Sequence, residues 1–485
     1  MKNRLLYILL LASSGLFFAC SNYDSFSDNP SFRLSFSEDT IRFDTLVSTV
    51  SSPTKTLYVF NNNSDGLRVS NIRLQKGEES LFRVNVDGEY LAYSFGNDYL
   101  IRKNDSIIVR IEVTMPENGT TDTVTYSDEL LFSLENGAQQ RVLLTAGAFD
   151  AYIIHGMFIK SDSTLATDKP YLIYDSLVIA KGATLDLLPG TKLLMHDSTA
   201  VDIYGRINAQ GTIEKPIVFR GARTDRMFDY LFYDNTPSRW KGVTIHTGSY
   251  GNTFVNTDFH SGRWGIYVDS TSLDHLSLFM QNCIIHNIGG DGLNLNNCSA
   301  EVLNTQISNT LGDCVSIYGG VYTFRHCTIA QYYPLSYERG DAFYVSNVYY
   351  NGAHHELRNV QVLNSVIMGY AEDVIMGNLY DEYEDYQNYL FQNCFLRTVG
   401  NNDDKNFISC KFENKDMELQ GEKNFKVFDT HNFIYDFTPD SLSEIRNMAD
   451  PLLMNGLVSD RLGRSRTSDE APDAGCYEYI MPKKE

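Results

Sequence analysis

Three aspartates recur in similar local sequences, each after a glycine and before an apolar run. They are Asp291 in GGDGLNL, Asp313 in LGDCVSI and Asp341 in RGDAFYV. Neighbouring carboxylates can serve as acid and base in glycosidic bond cleavage, and hard oxygen ligands can also hold Ca²⁺. The pattern is equally typical of turns in which each aspartate caps its own backbone. We therefore predict a row of acids on one edge of the fold, with catalysis or Ca²⁺ binding as the functional interpretations and turn capping as the structural one.

A lyase would also need a base. Arg339, two residues before Asp341, is the best-placed candidate, and His286 is the second. Either side chain could equally lie on the surface without a chemical role. The chain carries no complete glycosidase or lyase signature, so the sequence favours binding over cleavage.

Tyrosine-rich segments could bind a ligand without any catalytic residue. They lie at 331 to 344, 347 to 352 and 379 to 390, where we expect loops between strands. A tyrosine offers a flat apolar ring with a polar tip, which suits a sugar ring or a protein partner, although tyrosine is also common on sheet surfaces. The predicted ligand-binding residues are Tyr332, Tyr333, Tyr337, Tyr383 and Tyr386.

A short repeat indicates which elements position these residues. It reads apolar, spacer, polar, small, spacer, apolar, and its first four copies recur at about 22 to 26 residues. That period fits one coil of three short strands and three turns, stacked on its neighbours. The copies are FVNTDF (254–259), FMQNCI (279–284), VLNTQI (302–307), FRHCTI (324–329), VLNSVI (362–367) and LFQNCF (390–395).

The middle of the repeat predicts its own geometry. An asparagine there suits a sharp bend with positive φ, and stacked amides could bond to each other from coil to coil. The following residue must be small if it points inward, so Cys283, Cys327 and Cys394 are expected to be free core thiols. A disulfide between adjacent coils stays open as the alternative.

The segment LVIAKGATLDLLPGTKLLMHDSTAVDIYGRINAQGTIEKPIVFRG, followed by RWKGVTI, is similar to the first coils of the pectate-lyase-like superfamily. DRLGRSRTSDEAPDAGCYE resembles the closing segment of exported proteins of that type. The resemblance implies a right-handed parallel β-helix over 151–450, with 451–485 capping its open last coil against edge-to-edge pairing. Enzymes and non-enzymes share this fold, so it does not choose a function.

The preceding part of the chain predicts a different all-β domain. Residues 32–150 alternate apolar and polar positions in short runs separated by turn formers, which favours an antiparallel β-sandwich. TKTLYVFNNNSDGLRVSNIRL, FRVNV, KNDSIIVRIEV and QQRVLLTAG resemble immunoglobulin-like domains of the abnormal-spindle and major-sperm-protein type. The resemblance implies a spacer or docking module.

The first residues indicate export. Lys2 and Arg4 precede a short apolar run, and Ala19-Cys20 resembles a bacterial lipobox, which implies a signal peptide at 1–19, lipidation of Cys20 and a tether at 20–31. Ordinary secretory cleavage is the alternative. Ser21 resembles outer-membrane sorting in Gram-negative bacteria, and the sequence leaves open whether the protein faces the periplasm or the outside.

Composition limits the partners. The 485 residues carry a formal net charge of -21, which argues against nucleic acid and against unaided binding of polyanionic glycans. We expect a lipid-anchored envelope protein whose β-helix binds a glycan or a partner protein. A polysaccharide lyase or glycoside hydrolase is the alternative, and an assembly component of an envelope complex is a third interpretation.

Overall fold

The computed structural model describes residues 25–228, 230–380, 387–399, 402–413 and 423–480. The predicted signal peptide, Cys20, Tyr383 and Tyr386 lie outside the described residues. The chain divides into two compact units, Met1–Phe149 and Asp150–Glu485. In the described part of the chain, no helix has the length and apolar character that a membrane crossing needs.

The first unit contains two five-stranded sheets, with strand orders β1-β3-β8-β5-β6 and β2-β10-β9-β4-β7. Their pairings are antiparallel except that of β10 with β2. Buried and more exposed residues alternate along β8, as expected when one face of a strand meets a core. The strands are β1 (Ser35–Phe36), β2 (Thr40–Val47), β3 (Lys55–Asn61), β4 (Leu67–Leu74), β5 (Phe82–Val86), β6 (Glu89–Tyr90), β7 (Phe95–Ile101), β8 (Asp105–Val113), β9 (Val124–Leu134) and β10 (Gln139–Phe149).

The second unit is built almost entirely from short strands. Its described helical turns are 3-10 turns at Tyr233–Asn235 and Pro451–Leu453, and the first unit has two more at Gly77–Glu79 and Ala92–Ser94. Its strands are β11 (Tyr152–Ile159), β12 (Ser163–Leu165), β13 (Tyr171–Ile179), β14 (Thr184–Leu187), β15 (Lys192–Met195), β16 (Ala200–Ile203), β17 (Arg206–Gln210), β18 (Ile217–Gly221), β19 (Arg226–Phe228), β20 (Leu231–Phe232), β21 (Gly242–Ile245), β22 (Asn252–Val255), β23 (Thr257–His260), β24 (Ile266–Val268), β25 (Leu278–Gln281), β26 (Ile284–Ile288), β27 (Leu293–Asn296), β28 (Ser299–Leu303), β29 (Gln306–Thr310), β30 (Val315–Tyr318), β31 (Gly320–Arg325), β32 (Thr328–Gln331), β33 (Phe343–Ser346), β34 (Leu357–Leu363), β35 (Val366–Gly369), β36 (Ile375–Asn378), β37 (Gln387–Gln392), β38 (Phe395–Leu396), β39 (Phe407–Ile408), β40 (Lys411–Phe412), β41 (Phe425–Asp429) and β42 (Ile434–Pro439).

Most of these strands form three parallel stacks, whereas β19 with β20 and β41 with β42 form two antiparallel pairs. Stack A contains β15, β18, β23, β26, β29, β32, β35, β38 and β40, and stack B contains β16, β21, β24, β27, β30, β33 and β36. Long strands β11 and β13 join A and B into one 18-stranded sheet. Stack C is a 10-stranded sheet of β12, β14, β17, β22, β25, β28, β31, β34, β37 and β39. The prediction of an all-β chain is confirmed, and its long parallel sheets are compatible with a β-helix.

The turn from stack C to stack A has the geometry that the repeat predicts. The repeat asparagines have positive φ, and His326 takes the same conformation in FRHCTI. The residue after each bend is buried, and the seven described cysteines are free and buried. The asparagines are Asn256 (φ 46°), Asn282 (φ 57°), Asn304 (φ 48°), Asn364 (φ 49°) and Asn393 (φ 52°).

The expected amide-to-amide ladder is absent from the hydrogen bonds of the described turns. The amide of Asn304 donates to the carbonyl of Ser459 (2.7 Å), and that of Asn364 donates to the carbonyl of Asp450 (2.9 Å). Cys476 N–H likewise donates to Oγ1 of Thr328 (3.0 Å). The C-terminal segment thus packs along the side of the coils at these contacts, whereas the sequence had placed it across the open last coil.

Candidate functional site

The predicted acids lie side by side along one edge of stack B. Asp291, Asp313 and Asp341 come just before β27, β30 and β33, which are consecutive strands of that stack. Parallel strands in register place equivalent residues about 4.8 Å apart, so the fold repeats the acid at the same point of three coils. The structure therefore brings these three residues together.

The carboxylates of Asp291 and Asp313 each accept a hydrogen bond from the backbone of the next coil. Oδ1 of Asp291 accepts from the backbone N–H of Asp313 (3.1 Å), and Oδ1 of Asp313 accepts from that of Asp341 (2.8 Å). Ser316 donates its hydroxyl to Oδ2 of Asp313 (2.8 Å) and is also 3.2 Å from Oδ2 of Asp291. The row thus has a structural role between coils, where the sequence suggested caps within single turns.

The electrostatics of the row are unusual for carboxylates. Burial, together with the charges of Asp291 and Asp341, raises the pKa of Asp313 to about 6. Burial and the charge of Asp373 also raise the pKa of Asp341. A carboxyl group with a pKa near 6 is able to donate a proton close to neutral pH.

Four tyrosines form a surface beside the acids, which we call the tyrosine surface: Tyr267, Tyr344, Tyr349 and Tyr350. Tyr267 lies on β24 and Tyr344 on β33, while the other two come from the loop after β33. Tyr350 is 71% exposed, and the other three are half-buried. The hydroxyl of Tyr267 lies beside Gly290, next to the first acid of the row. Burial and then the charge of Asp291 raise the pKa of Tyr267.

A buried tyrosine supports this surface from below. The ring of Tyr318, on β30, lies 5.8 Å from that of Tyr344, 5.0 Å from that of Tyr349 and 4.9 Å from that of Tyr350. Burial raises the pKa of Tyr350, and the charges of Asp291 and Asp313 raise it further. The loop after β33 therefore holds the exposed ring of Tyr350 near two of the acids.

The candidate base is turned to other partners. Arg339 donates to the carbonyl of Tyr333 (2.8 Å), and its guanidinium lies over the ring of Tyr370, 4.4 Å from the centroid. None of the ion pairs among the described residues joins Arg339 to the acid row. His286, the second candidate, lies on β26 of stack A rather than on stack B.

The prediction of Tyr332 and Tyr333 as exposed ligand-binding residues is wrong. Their exposed fractions are 1% and 5%, and residues of β41 and β42 pack over Tyr332. The ring of Tyr332 packs 4.6 Å from that of Phe428. Tyr337 is 98% exposed and stays available to a partner.

The acid row does not bring several metal-ligating atoms together at one point. Among the described residues, one group of three or more His, Cys, Asp or Glu side chains brings its ligand atoms within 4.8 Å of one another, and it lies on stack A: Asp258, His260 and His286. In the row, one oxygen of Asp291 and one of Asp313 are already bonded to backbone N–H groups. Ca²⁺ binding by the row stays a prediction that this geometry does not favour.

The sequence reasoning missed the residues that accompany the acids. Asn294, Ser316 and Tyr344 each follow an acid of the row by three positions, and register pairing places them in one line across stack B with Tyr267. Because each of them stands at the same offset from its aspartate, and parallel strands stack in register, counting forward from each aspartate could have identified this line.

Comparisons with known proteins do not assign the chain to a family. No protein-family model matches it, and no curated protein matches it.

Three solved structures show partial likeness. A protein of unknown function from Porphyromonas gingivalis W83 is 9% identical over 27% of this chain and 50% of its own, with a TM-score of 0.18. The ASH/PapD-like domain 7 of human CEP192 is 12% identical over 27% of this chain and 96% of its own, with a TM-score of 0.18. A family 123 glycoside hydrolase from Clostridium perfringens is 10% identical over 26% of this chain and 30% of its own, with a TM-score of 0.19. The chain thus spans half or less of the first and third structures, and at these TM-scores the likenesses assign neither fold nor function.

Proposed function

We propose that this chain is a lipid-anchored protein of the outer membrane that binds a polysaccharide on the tyrosine surface. In this proposal the first unit is an immunoglobulin-like sandwich, and the second is a right-handed parallel β-helix of the pectate-lyase-like type. The observation that carries the binding proposal is the gathering of Tyr267, Tyr344, Tyr349 and Tyr350 beside three carboxylates on one surface of stack B.

Tyrosine rings and carboxylates together suit sugars. A ring presents an apolar face to the C–H groups of a sugar, while carboxylates accept hydrogen bonds from its hydroxyls. Tyr350 is 71% exposed although its neighbour Tyr318 is almost fully buried, so a large ring is left open on a fixed support. Long loops on a rigid scaffold are common binding positions.

Charge selects the class of polysaccharide. Asp291, Asp313 and Asp341 have no described ion pair with a basic side chain, and the whole chain carries -21 charges. An anionic glycan would be repelled by this edge, whereas neutral or amino sugars would not. We therefore propose a neutral or amino-sugar polysaccharide as the ligand.

The direct test is a binding screen with neutral, amino-sugar and uronic-acid polysaccharides, using the chain that begins after residue 20. Retention of a neutral or amino-sugar polysaccharide without release of products would support the proposal. Retention of uronic-acid polymers alone, or of none of the panel, would contradict it.

A glycoside hydrolase is the second candidate, and the pKa of Asp313 favours it. A carboxyl group with a pKa of about 6 can be the proton donor while a neighbouring carboxylate stays ionised, and Ser316 connects Asp313 to Asp291. A lyase is less well supported, because Arg339 is engaged by Tyr333 and Tyr370. New reducing ends that disappear in Asp313→Asn would establish the hydrolase, and unsaturated ends would establish the lyase.

A further inference from the structure

A second cluster of chemical groups lies on the outer face of stack A, apart from the tyrosine surface. Asp258 and His260 are two residues apart on β23, so their side chains leave the same face of the strand. His286 on β26 is the register partner of His260 in the next coil. The fold therefore places one carboxylate and two imidazoles on a single patch.

The donor atoms of this patch converge. Oδ1 of Asp258 lies 2.8 Å from Nδ1 of His260 and 3.3 Å from Nε2 of His286. The two imidazole rings are 4.8 Å apart between centroids. Ligands at about 2.0 Å from a tetrahedral metal ion are about 3.3 Å from each other, so the carboxylate lies close to coordination distance from both rings.

An outer carboxylate already orients one of the imidazoles. Oδ1 of Asp234, in the 3-10 turn Tyr233–Asn235, is 2.8 Å from Nε2 of His260. The guanidinium of Arg220 is 2.9 Å from the same oxygen and holds it in place. A carboxylate on the far nitrogen is the usual support of a metal-binding histidine, since it fixes the ring and makes the near nitrogen a better donor.

We propose that Asp258, His260 and His286 bind one divalent transition-metal ion, with Zn²⁺ as the best match, and that Asp234 is its positioning residue. Imidazole nitrogens suit Zn²⁺ and its neighbours in the first transition series, whereas Ca²⁺ and Mg²⁺ prefer oxygen ligands. Three protein ligands leave a fourth position for water or a ligand, as in zinc sites that take part in chemistry.

The surroundings of His286 supply a path to the patch. His286 lines a cavity of about 410 Å³, together with Gln306, Ser308, Arg461 and Tyr477. A metal site needs such an entry path, and a ligand in this cavity would lie beside one of the metal's imidazoles. This proposal does not depend on polysaccharide binding, because stack B contributes none of these residues.

The alternative is a hydrogen-bonded ion-pair network without a metal. Burial disfavours the charged form of His260, but Asp258 and Asp234 outweigh it and raise the pKa of its imidazole to about 9. The experiment must therefore distinguish a bound metal ion from a protonated imidazole in such a network.

The chain contains a matched control for that experiment. His246 is also held between two carboxylates, with Nε2 2.8 Å from Asp202 and Nδ1 3.2 Å from Asp269. These carboxylates lie at opposite nitrogens of one ring, and among the described residues no second histidine completes a metal-binding group with them. His246→Asn should therefore leave metal binding unchanged.

The test is calorimetric titration of Zn²⁺ into the full chain in detergent after chelator treatment. We expect one Zn²⁺ per chain for the wild type and for His246→Asn, and loss of that binding in His286→Asn. Asp234→Asn should retain the stoichiometry and weaken the affinity by about 10-fold to 100-fold.

Two results would overturn the proposal. One is the absence of stoichiometric Zn²⁺ binding to the wild type. The other is equal Zn²⁺ affinity of the wild type and His286→Asn, with both chains showing the same thermal unfolding without metal. A characteristic tetrahedral Co²⁺ absorption spectrum in the wild type that is absent from His286→Asn would support it independently of calorimetry.

Discussion

The backbone N–H of Asp341 donates to Oδ1 of Asp313 over 2.8 Å, so the carboxyl group of one coil fixes the start of the strand in the next. This oxygen would be equally present in an asparagine. The second oxygen accepts from Ser316, which could reverse its role and accept from an amide. The negative charge of Asp313 is therefore not needed for these contacts.

Asp313→Asn should stabilise the protein at pH 7.5 by about 1 to 2 kcal/mol, after discounting for partial exposure. The pKa of Asp313 is raised to about 6 in the folded chain from an ordinary value of 3.8. Stability from this group is complete below pH 4 and is lost as pH rises through about 6, because the folded state binds the proton more tightly. Urea unfolding at pH 4 and pH 7.5 measures the effect, and equal stability differences at both pH values would contradict it.

Asn304→Gly should destabilise the second unit by about 1 to 3 kcal/mol, although glycine accepts the φ of 48°. Asn304 is 2% exposed, donates to Ser459 and accepts from Arg466 (2.8 Å), and these partners would be left unpaired.

Asn282→Gly is the matched control, because Asn282 has a similar φ of 57° and no hydrogen bond to its buried Oδ1. Its change in the free energy of unfolding should stay within about 0.5 kcal/mol. Equal losses for both variants, measured by urea unfolding, would mean that the contacts of Asn304 with the C-terminal segment do not stabilise the fold.

Arg466→Leu should lower the free energy of unfolding by about 3 to 5 kcal/mol, because it leaves the buried partners of Arg466 unpaired. Arg466 is 0% exposed, forms an ion pair with Glu478 and donates to the carbonyl of Gly475 (3.0 Å). Arg358→Leu is the control: it removes an exposed ion pair with Glu356 and should lower the free energy of unfolding by less than about 1 kcal/mol. Limited proteolysis should cut the C-terminal segment of Arg466→Leu faster, and equal cutting rates in the two variants would contradict this role.

The sequence predicted the features that depend on local residue choice. A bend with positive φ favours asparagine or glycine, so the asparagines of the repeat could be predicted from the sequence. The small inward residue after each of them followed from the same bend. The contact of Asn304 with Arg466 spans 162 positions, and no local pattern encodes it.

The candidate site was predicted in part for the same reason. The aspartates stand at a constant place in each coil, which a repeat reveals. Whether a tyrosine is exposed depends on segments that are distant in the sequence. Tyr332 is buried by β41 and β42, whereas Tyr350, in a similar tyrosine-rich loop, is exposed. Composition alone cannot distinguish these two cases.

Cys20→Ala should move the protein from the membrane fraction to the soluble fraction and abolish labelling by a clickable fatty acid. The lipobox-like Ala19-Cys20 is the basis of this prediction. Cys476→Ala is the control, because Cys476 is fully buried and Cys20 is intact in this variant, so that both the label and the membrane association should be kept. Unchanged labelling of Cys20→Ala would contradict the lipid anchor.

Tyr350→Ala should weaken binding of the polysaccharide found in the screen by about tenfold, which corresponds to about 1.4 kcal/mol of lost ring contact. Tyr337→Ala is the matched control, since Tyr337 is even more exposed, at 98%, but lies outside the tyrosine surface. Both variants should unfold at nearly the same temperature as the wild type, because neither removed ring is buried. Affinity measured by calorimetry should separate them. Equal affinities for the two variants would place the polysaccharide elsewhere on the protein, whereas loss of binding in Tyr337→Ala alone would assign it to the loop before β33.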